Sequence, residues 1–210
     1  NKRSIVVDLG QASGRGVAQR LAEWADVIVV SLRPQAARRF GVDYATLQAR
    51  NPRLVYASVN GYGRKGPDAD PPAYDMALQA RSGIASTSRT PDGAPIPSAI
   101  LMADMSGAMF LSYAIMVALW ERERTGRGQE VQMSLLSQAL AMQDLDLVRI
   151  QGEPEEGSGG APRGATFFYR CADGRYLSVV MVTDRQWAAL CGVLDLEHLV
   201  EDGRFTSFDK

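Results

Sequence analysis

The segment "ILMADMSGAMF", residues 100–110, sets one carboxylate, Asp104, inside an apolar stretch, residues 99–120, that holds no other charged side chain. An ionised carboxylate is costly to bury without partners, so an aspartate kept in such a place caps a helix, lines a polar site or is held reactive. Capping is the plainest of these: Asp104 precedes "MSGAMFLSYAIMVALW", and its oxygens can accept bonds from the free amides of a first helical turn. The same position suits a nucleophile, because the positive end of a helix favours the anionic form. The two readings are compatible, and the residues alone leave both open.

A second chemical signal lies near the front. "DLGQASGRG" spaces Gly10, Gly14 and Gly16 as a nucleotide-binding loop would between a strand and a helix, the pattern that short-chain dehydrogenases present to a pyrophosphate. Such an enzyme also needs a Tyr-x-x-x-Lys pair, and none of the seven tyrosines is followed by Lys four positions later. A tight strand-to-helix turn is the simpler explanation. Metal chemistry finds no support either: two cysteines, Cys171 and Cys191, and one histidine, His198, make neither a disulfide framework nor a Cys/His zinc site.

With 210 residues, 46% hydrophobic and 22% charged, the composition is that of an ordinary folded chain long enough for one large domain or two small ones. A net charge of −1 without any basic block argues against a nucleic-acid surface and favours a small-molecule partner. The cysteine usage fits a reducing cytoplasm. Residues 99–120 are long enough to span a bilayer, but the segment is single and carries Asp104, Ser106, Gly107 and Ser112. A helix buried in a protein core is expected instead, with no membrane partner. The chain opens directly on strand-like residues with no signal-peptide apolar region, so a missing true start is expected.

The elements that must position these groups alternate. Residues 4–9 read as a strand, 14–25 as an amphipathic helix and 26–32 as a strand, a β-α-β unit; two short helices lead to a further strand at 53–63. Turn-rich 64–74 precedes a short helix from residue 75, and loop 87–98 precedes a helix over 105–122. A strand at 129–135 and a helix at 136–150 follow, then glycine-rich 152–164 and a hairpin turning at "CADG". This order predicts an α/β fold with a parallel sheet covered on both faces.

The succession "ADVIVVSLRPQAARRFGVDYATLQARNPRLVYASVNGYGRKGPDADPPAYDMALQARSG", "LMADMSGAMF" and "ERERTGRGQEVQMSLLSQAL" closely resembles the class III CoA-transferases, the family typified by formyl-CoA and carnitine CoA-transferases, across essentially the whole chain. The resemblance implies a Rossmann-like parallel sheet flanked by helices in a large CoA-binding domain over residues 1–150, its N-terminal part missing. A glycine-rich linker over 151–164 and the start of a smaller α+β domain over 165–210 would follow. It further implies a ring-shaped subunit of an interlocked homodimer.

For the site, the resemblance makes Asp104 the nucleophile. Its carboxylate would attack the thioester carbonyl of an acyl-CoA to give a mixed anhydride and CoA thiolate, then an aspartyl-CoA thioester, from which an acceptor carboxylic acid completes the exchange. Coenzyme A enters as substrate, with no metal. The family block that lies along CoA falls on "SLRPQ", where Ser31 and Leu32 replace Asn-Phe and Gln35 replaces Gly. Leu32 and Arg33 are its matched contacts, Arg39 matches a phosphate-binding arginine, and charge complementarity to phosphate supports both cations. Gly157, Gly159 and Gly160 match a glycine loop that folds over the aspartate. The related α-methylacyl-CoA racemases use a His where this chain has Tyr74. Tyrosine, ordinarily ionising near pH 10, is a poor base at neutral pH, so Tyr74 is assigned to the CoA or acyl pocket and transfer outranks racemisation. A non-enzymatic CoA-binding module is the remaining alternative.

Overall fold

The computed structural model describes residues 1–67, 69, 71–143, 167–181 and 183–205. The chain forms two compact units, Asn1–Glu156 and Gly157–Lys210.

The first unit is mixed α/β, built on three parallel strands in the order β1-β2-β3: β1 (Val27–Val30), β2 (Val55–Asn60) and β3 (Glu130–Ser134). Val27 pairs with Val55, and Tyr56 with Glu130. The middle strand is buried from Val55 to Ser58, as expected of a parallel strand covered on both faces, and its sequence is correspondingly apolar without alternation. Helices α1 (Ala12–Trp24), α2 (Pro34–Arg39) and α3 (Tyr44–Gln48) contribute Ala22, Ala37 and Leu47 to a core that includes Val30, Leu54 and Tyr56. Helices α4 (Asp75–Ser82), α5 (Met102–Thr125) and α6 (Leu135–Ala141) meet in a second core around Leu78, Ala103 and Ala139.

The long helix α5 orients the site. It packs on β2 and β3, and it ends at Gly126, whose φ of 72° is the left-handed conformation that closes a helix and that glycine adopts without strain. Near that end the buried Arg122 guanidinium pairs with Asp26 at 3.0 Å and reaches the backbone carbonyls of Asp26 and Arg53. Asp26 lies one residue before β1 and Arg53 two before β2, so the C-terminal end of α5 sits at the amino edge of the sheet. Twenty-four residues span ~36 Å, which carries the other end, with Asp104, toward the carboxyl edge. Open parallel sheets bind ligands at that edge.

Three expectations change. Residues 4–9 form no strand; Ile5 and Val6 are exposed, because a strand exists only through a neighbouring ladder and this run finds none. Without that strand the glycine spacing at 10–16 is a turn into α1, where Asp8 Oδ1 accepts the Gly10 amide at 2.8 Å and the Asp8 carbonyl packs against Gly14. Burial of α5 is also confined to one face: Ala103, Ser106, Gly107, Leu111, Ala118 and Arg122 face inward, whereas Met105, Met109, Tyr113, Met116 and Trp120 form an exposed apolar stripe. The inward side is lined by small residues that let α4 and α6 approach, and the large apolar residues are on the outside. Among the described residues α5 is the one helix long and apolar enough to cross a membrane by length and composition.

The second unit contains the expected hairpin, β4 (Phe167–Arg170) and β5 (Tyr176–Val179), antiparallel with Phe168 opposite Ser178. The turn closes through the Gly174 amide bonded to the Cys171 carbonyl at 3.0 Å. Helix α7 (Asp184–Val193) follows, capped by Thr183, which accepts the Gln186 amide.

Candidate active site

At the carboxyl edge, β1 runs out into Ser31, Leu32 and Arg33, and Pro34, with its fixed φ and missing N–H, starts α2. Arg33 and Arg39 thereby border one cavity of about 350 Å³, together with Gln35 and Ala36. Among the described residues no carboxylate lines that cavity. The Arg39 guanidinium also lies 4.6 Å above the Phe40 ring, a contact that steadies its stem. A second cavity of about 330 Å³ is lined by Ser31, Arg33, Asn60, Gly61, Tyr74 and Leu135, among others. Arg33 therefore belongs to both. Leu32 is exposed and lines neither of the two.

Gly61 is required here by space: a Cβ on it would fall 2.0 Å from the Ala73 Cβ. That approach presses the 73–75 segment against the end of β2. Tyr74, 76% exposed, occupies the position before α4 and is one of the residues lining the second cavity. The next residue, Asp75, is buried and crosses to α5, where its Oδ2 accepts the Asp104 amide at 2.9 Å.

Asp104 does not cap its own helix. Helix α5 begins at Met102, two residues earlier than Asp104, and the residue before it, Leu101, offers no side-chain cap. The Asp75 carboxylate supplies the missing acceptor from another helix, while the Asp104 carboxylate remains exposed. Loss of water around it, and after that the charge of Asp75, push the Asp104 carboxyl above its ordinary value. The helix N-terminus works in the opposite sense, and the upward influences prevail. A carboxylate perturbed in this way by a named neighbour, at the ligand-binding edge of a sheet, has the character of a functional group.

The structure thus gathers Arg33 with Arg39, Arg33 with Tyr74, and Tyr74 with Asp104 through Asp75. Gly157, Gly159 and Gly160 lie outside the described residues. Reading the sequence missed Asp75 and its partner Gln79: "AYD" drew attention to Tyr74, whereas an Asp and a Gln four apart on a predicted helix were the available sign of a buried pair. Among the described residues no group of three or more His, Cys, Asp or Glu side chains could hold a metal ion.

The fold and this edge together define an α/β protein with a cationic cavity at the carboxyl edge of a parallel sheet, and comparison with known proteins gives its family. Residues 1–210 match CoA-transferase family III throughout, and the chain belongs to that family. An acyl-CoA transferase of Fusarium pseudograminearum is 37% identical over 208 residues, covering 98% of this chain and 46% of the relative. The succinate–glutarate CoA-transferase of Agrobacterium fabrum is 34% identical, with 98% and 52% covered. The crystal structure of Rv3272 from Mycobacterium tuberculosis superposes with a TM-score of 0.84 at 29% identity, over 99% of this chain and 56% of that one. The chain spans about half the length of the curated relatives it matches.

Proposed function

We propose that the protein transfers CoA from an acyl-CoA thioester to a carboxylic acid, with Asp104 as the nucleophile. The observation that carries this reading is the placement of an exposed carboxylate, its pKa raised, in the first turn of α5, bonded through its amide to Asp75, whose neighbour Tyr74 lines a carboxyl-edge cavity that shares Arg33 with a second cavity bearing Arg39. Two guanidinium groups with no acidic neighbour among the described lining residues suit the phosphates of CoA. The succinate–glutarate relative supplies the substrate class: a CoA thioester and a carboxylate.

The steps balance without redox change. An Asp104 oxygen attacks the thioester carbonyl, the C–S bond breaks, and the sulfur leaves as CoA thiolate, giving a mixed anhydride. The thiolate attacks the aspartyl carbonyl and expels the donor carboxylate, leaving Asp104 as a CoA thioester. The acceptor carboxylate attacks that thioester, again releasing thiolate, which closes the cycle by attacking the acceptor acyl carbon and returning Asp104 as a carboxylate. Each addition creates an oxyanion that needs hydrogen-bond donors, and the Met102 and Ala103 amides share the first turn of α5 with Asp104.

The assembly proposed is an interlocked homodimer in a reducing cytoplasm. The exposed stripe of Met105, Met109, Tyr113, Met116 and Trp120 supports it, since an apolar helix face of that length calls for a covering surface, and the free Cys171 and Cys191 suit a reducing compartment. A panel of acyl-CoA donors and carboxylic acids in deuterium oxide, read by mass spectrometry, tests the reaction. New acyl-CoA with its α-hydrogen intact is expected; rapid α-deuteration without transfer would assign the chain to racemase chemistry.

A further inference from the structure

We infer that Gln79, acting through Asp75, is a positioning residue that fixes Asp104 and the chain entering α5; the inference rests on the reading of Asp104 as nucleophile. Gln79 is completely buried and Asp75 nearly so, at 0% and 6% exposure. Polar groups so placed are tolerated only when bonded, and the bonds of Gln79 all converge on one place. Its Nε2 donates to Asp75 Oδ1 at 2.5 Å and reaches the Ile100 carbonyl at 3.3 Å, while its Oε1 accepts the Ser98 amide at 2.8 Å. The other oxygen of Asp75 holds the Asp104 amide. One amide side chain therefore ties the segment leading into α5 to the carboxylate that caps it.

The backbone amide of Asp104 would otherwise be an orphan of the helix start, since the first intrahelical bond of α5 is donated by Met105. No basic side chain pairs with Asp75 among the described residues, so its charge is held by Gln79 and the Asp104 amide and is felt by the Asp104 carboxylate. Of the described elements packed on α5, β2 and α6 carry no charged residue and Glu130 of β3 is ion-paired with Arg64; the Arg81 guanidinium of α4 has the Tyr62 ring among its contacts. Two carboxylates on adjoining helices are thus set at a fixed separation by a neutral amide. A simple structural glutamine would stabilise the fold without reporting to Asp104.

The test is amide hydrogen exchange and carboxyl titration by NMR on the protein, its Asp75→Asn variant and its Gln79→Met variant, with Asp104→Asn to assign the titrating signal. In the wild type, the Asp104 amide should exchange at least tenfold more slowly than those of Met102 and Ala103. In Gln79→Met that protection should fall at least tenfold, and adduct formation at saturating acyl-CoA should slow at least tenfold with CoA affinity unchanged. In Asp75→Asn the Asp104 titration should move to lower pH, because the like charge is gone. Folding of each variant is read from its amide spectrum. The inference is overturned by a wild-type Asp104 amide that exchanges as fast as its two neighbours, which needs no variant to fold. It is equally overturned by folded variants whose Asp104 exchange and titration match the wild type. A wild type that transfers no CoA would defeat the proposed function and leave these two readouts intact.

Discussion

Replacing Gly61 by alanine asks whether the carboxyl edge is built as tightly as it looks. The added Cβ would lie 2.0 Å from Ala73 Cβ, whereas carbon atoms in contact sit ~3.5–4.0 Å apart, so one side must recede by roughly 1.5 Å. The strand side is held: the Gly61 carbonyl accepts the Leu136 amide at 2.9 Å and the Ser134 hydroxyl at 3.3 Å. The segment that yields is then 73–75, which carries Tyr74 and the Asp75 carboxylate bonded to Asp104. Overpacking of this kind costs about 1–3 kcal/mol, or roughly 2–12 °C of melting temperature for a chain of this size. A displacement of about 1 Å in reacting groups costs on the order of 100-fold in rate. Thermal denaturation followed by circular dichroism, together with quenched-flow mass spectrometry of the Asp104 adduct, measures both. A Gly61→Ala protein that melts within about 1 °C of wild type and forms adduct at an undiminished rate would refute the idea that this contact holds the site.

Other outcomes follow from the same geometry. Arg33→Ala and Arg39→Ala should each weaken CoA binding by about 1.5–3 kcal/mol, roughly 10- to 150-fold by calorimetry, with Arg33 the larger because it borders both cavities. Because the folded protein raises the Asp104 pKa, this group favours the fold when protonated, and that contribution is lost as pH rises through its folded pKa. Asp104→Asn should accordingly melt no lower than wild type at pH 7, within about 0.5 kcal/mol, and any advantage should vanish at pH values below the ordinary carboxylate range. Sedimentation should show a dimer that dilution does not dissociate without unfolding; a stable, well-folded monomer would contradict the interlocked assembly.

How much of this was legible follows from the range of each interaction. Residues 26–32 and 53–63 are apolar runs bounded by turn formers, and both contain strands of the parallel sheet, as does 129–135, because burial on both faces writes itself into local composition. "CADG" marked the hairpin because a turn is a local object. Residues 4–9 contain an apolar run, Ile5 to Val7, like that of β1, yet strand formation depends on a partner that composition does not specify. The start of α5 was misplaced by three residues, at 105 instead of Met102, because the expected cap was Asp104 itself. The real acceptor, Asp75, lies 29 positions away. Only the local half of the Gln79 contacts was legible, its spacing of four from Asp75; its partners Ser98 and Ile100 are 19 and 21 positions distant. Hydropathy marked residues 99–120 as one apolar block but did not tell which side faces inward; Ala103, Ser106 and Gly107 settle that by their small size.

The account stands on Asp104 forming a covalent bond, and trapping that bond tests it most directly. The protein is mixed with an acyl-CoA donor, quenched with hydroxylamine or borohydride, digested, and the peptide containing Asp104 weighed. The account predicts a hydroxamate or an alcohol at Asp104 in the wild type and none in Asp104→Asn, with CoA binding retained in the variant. An unmodified Asp104 peptide in a protein that is turning over, or an Asn variant that transfers CoA at a near-normal rate with deamidation excluded, would contradict it.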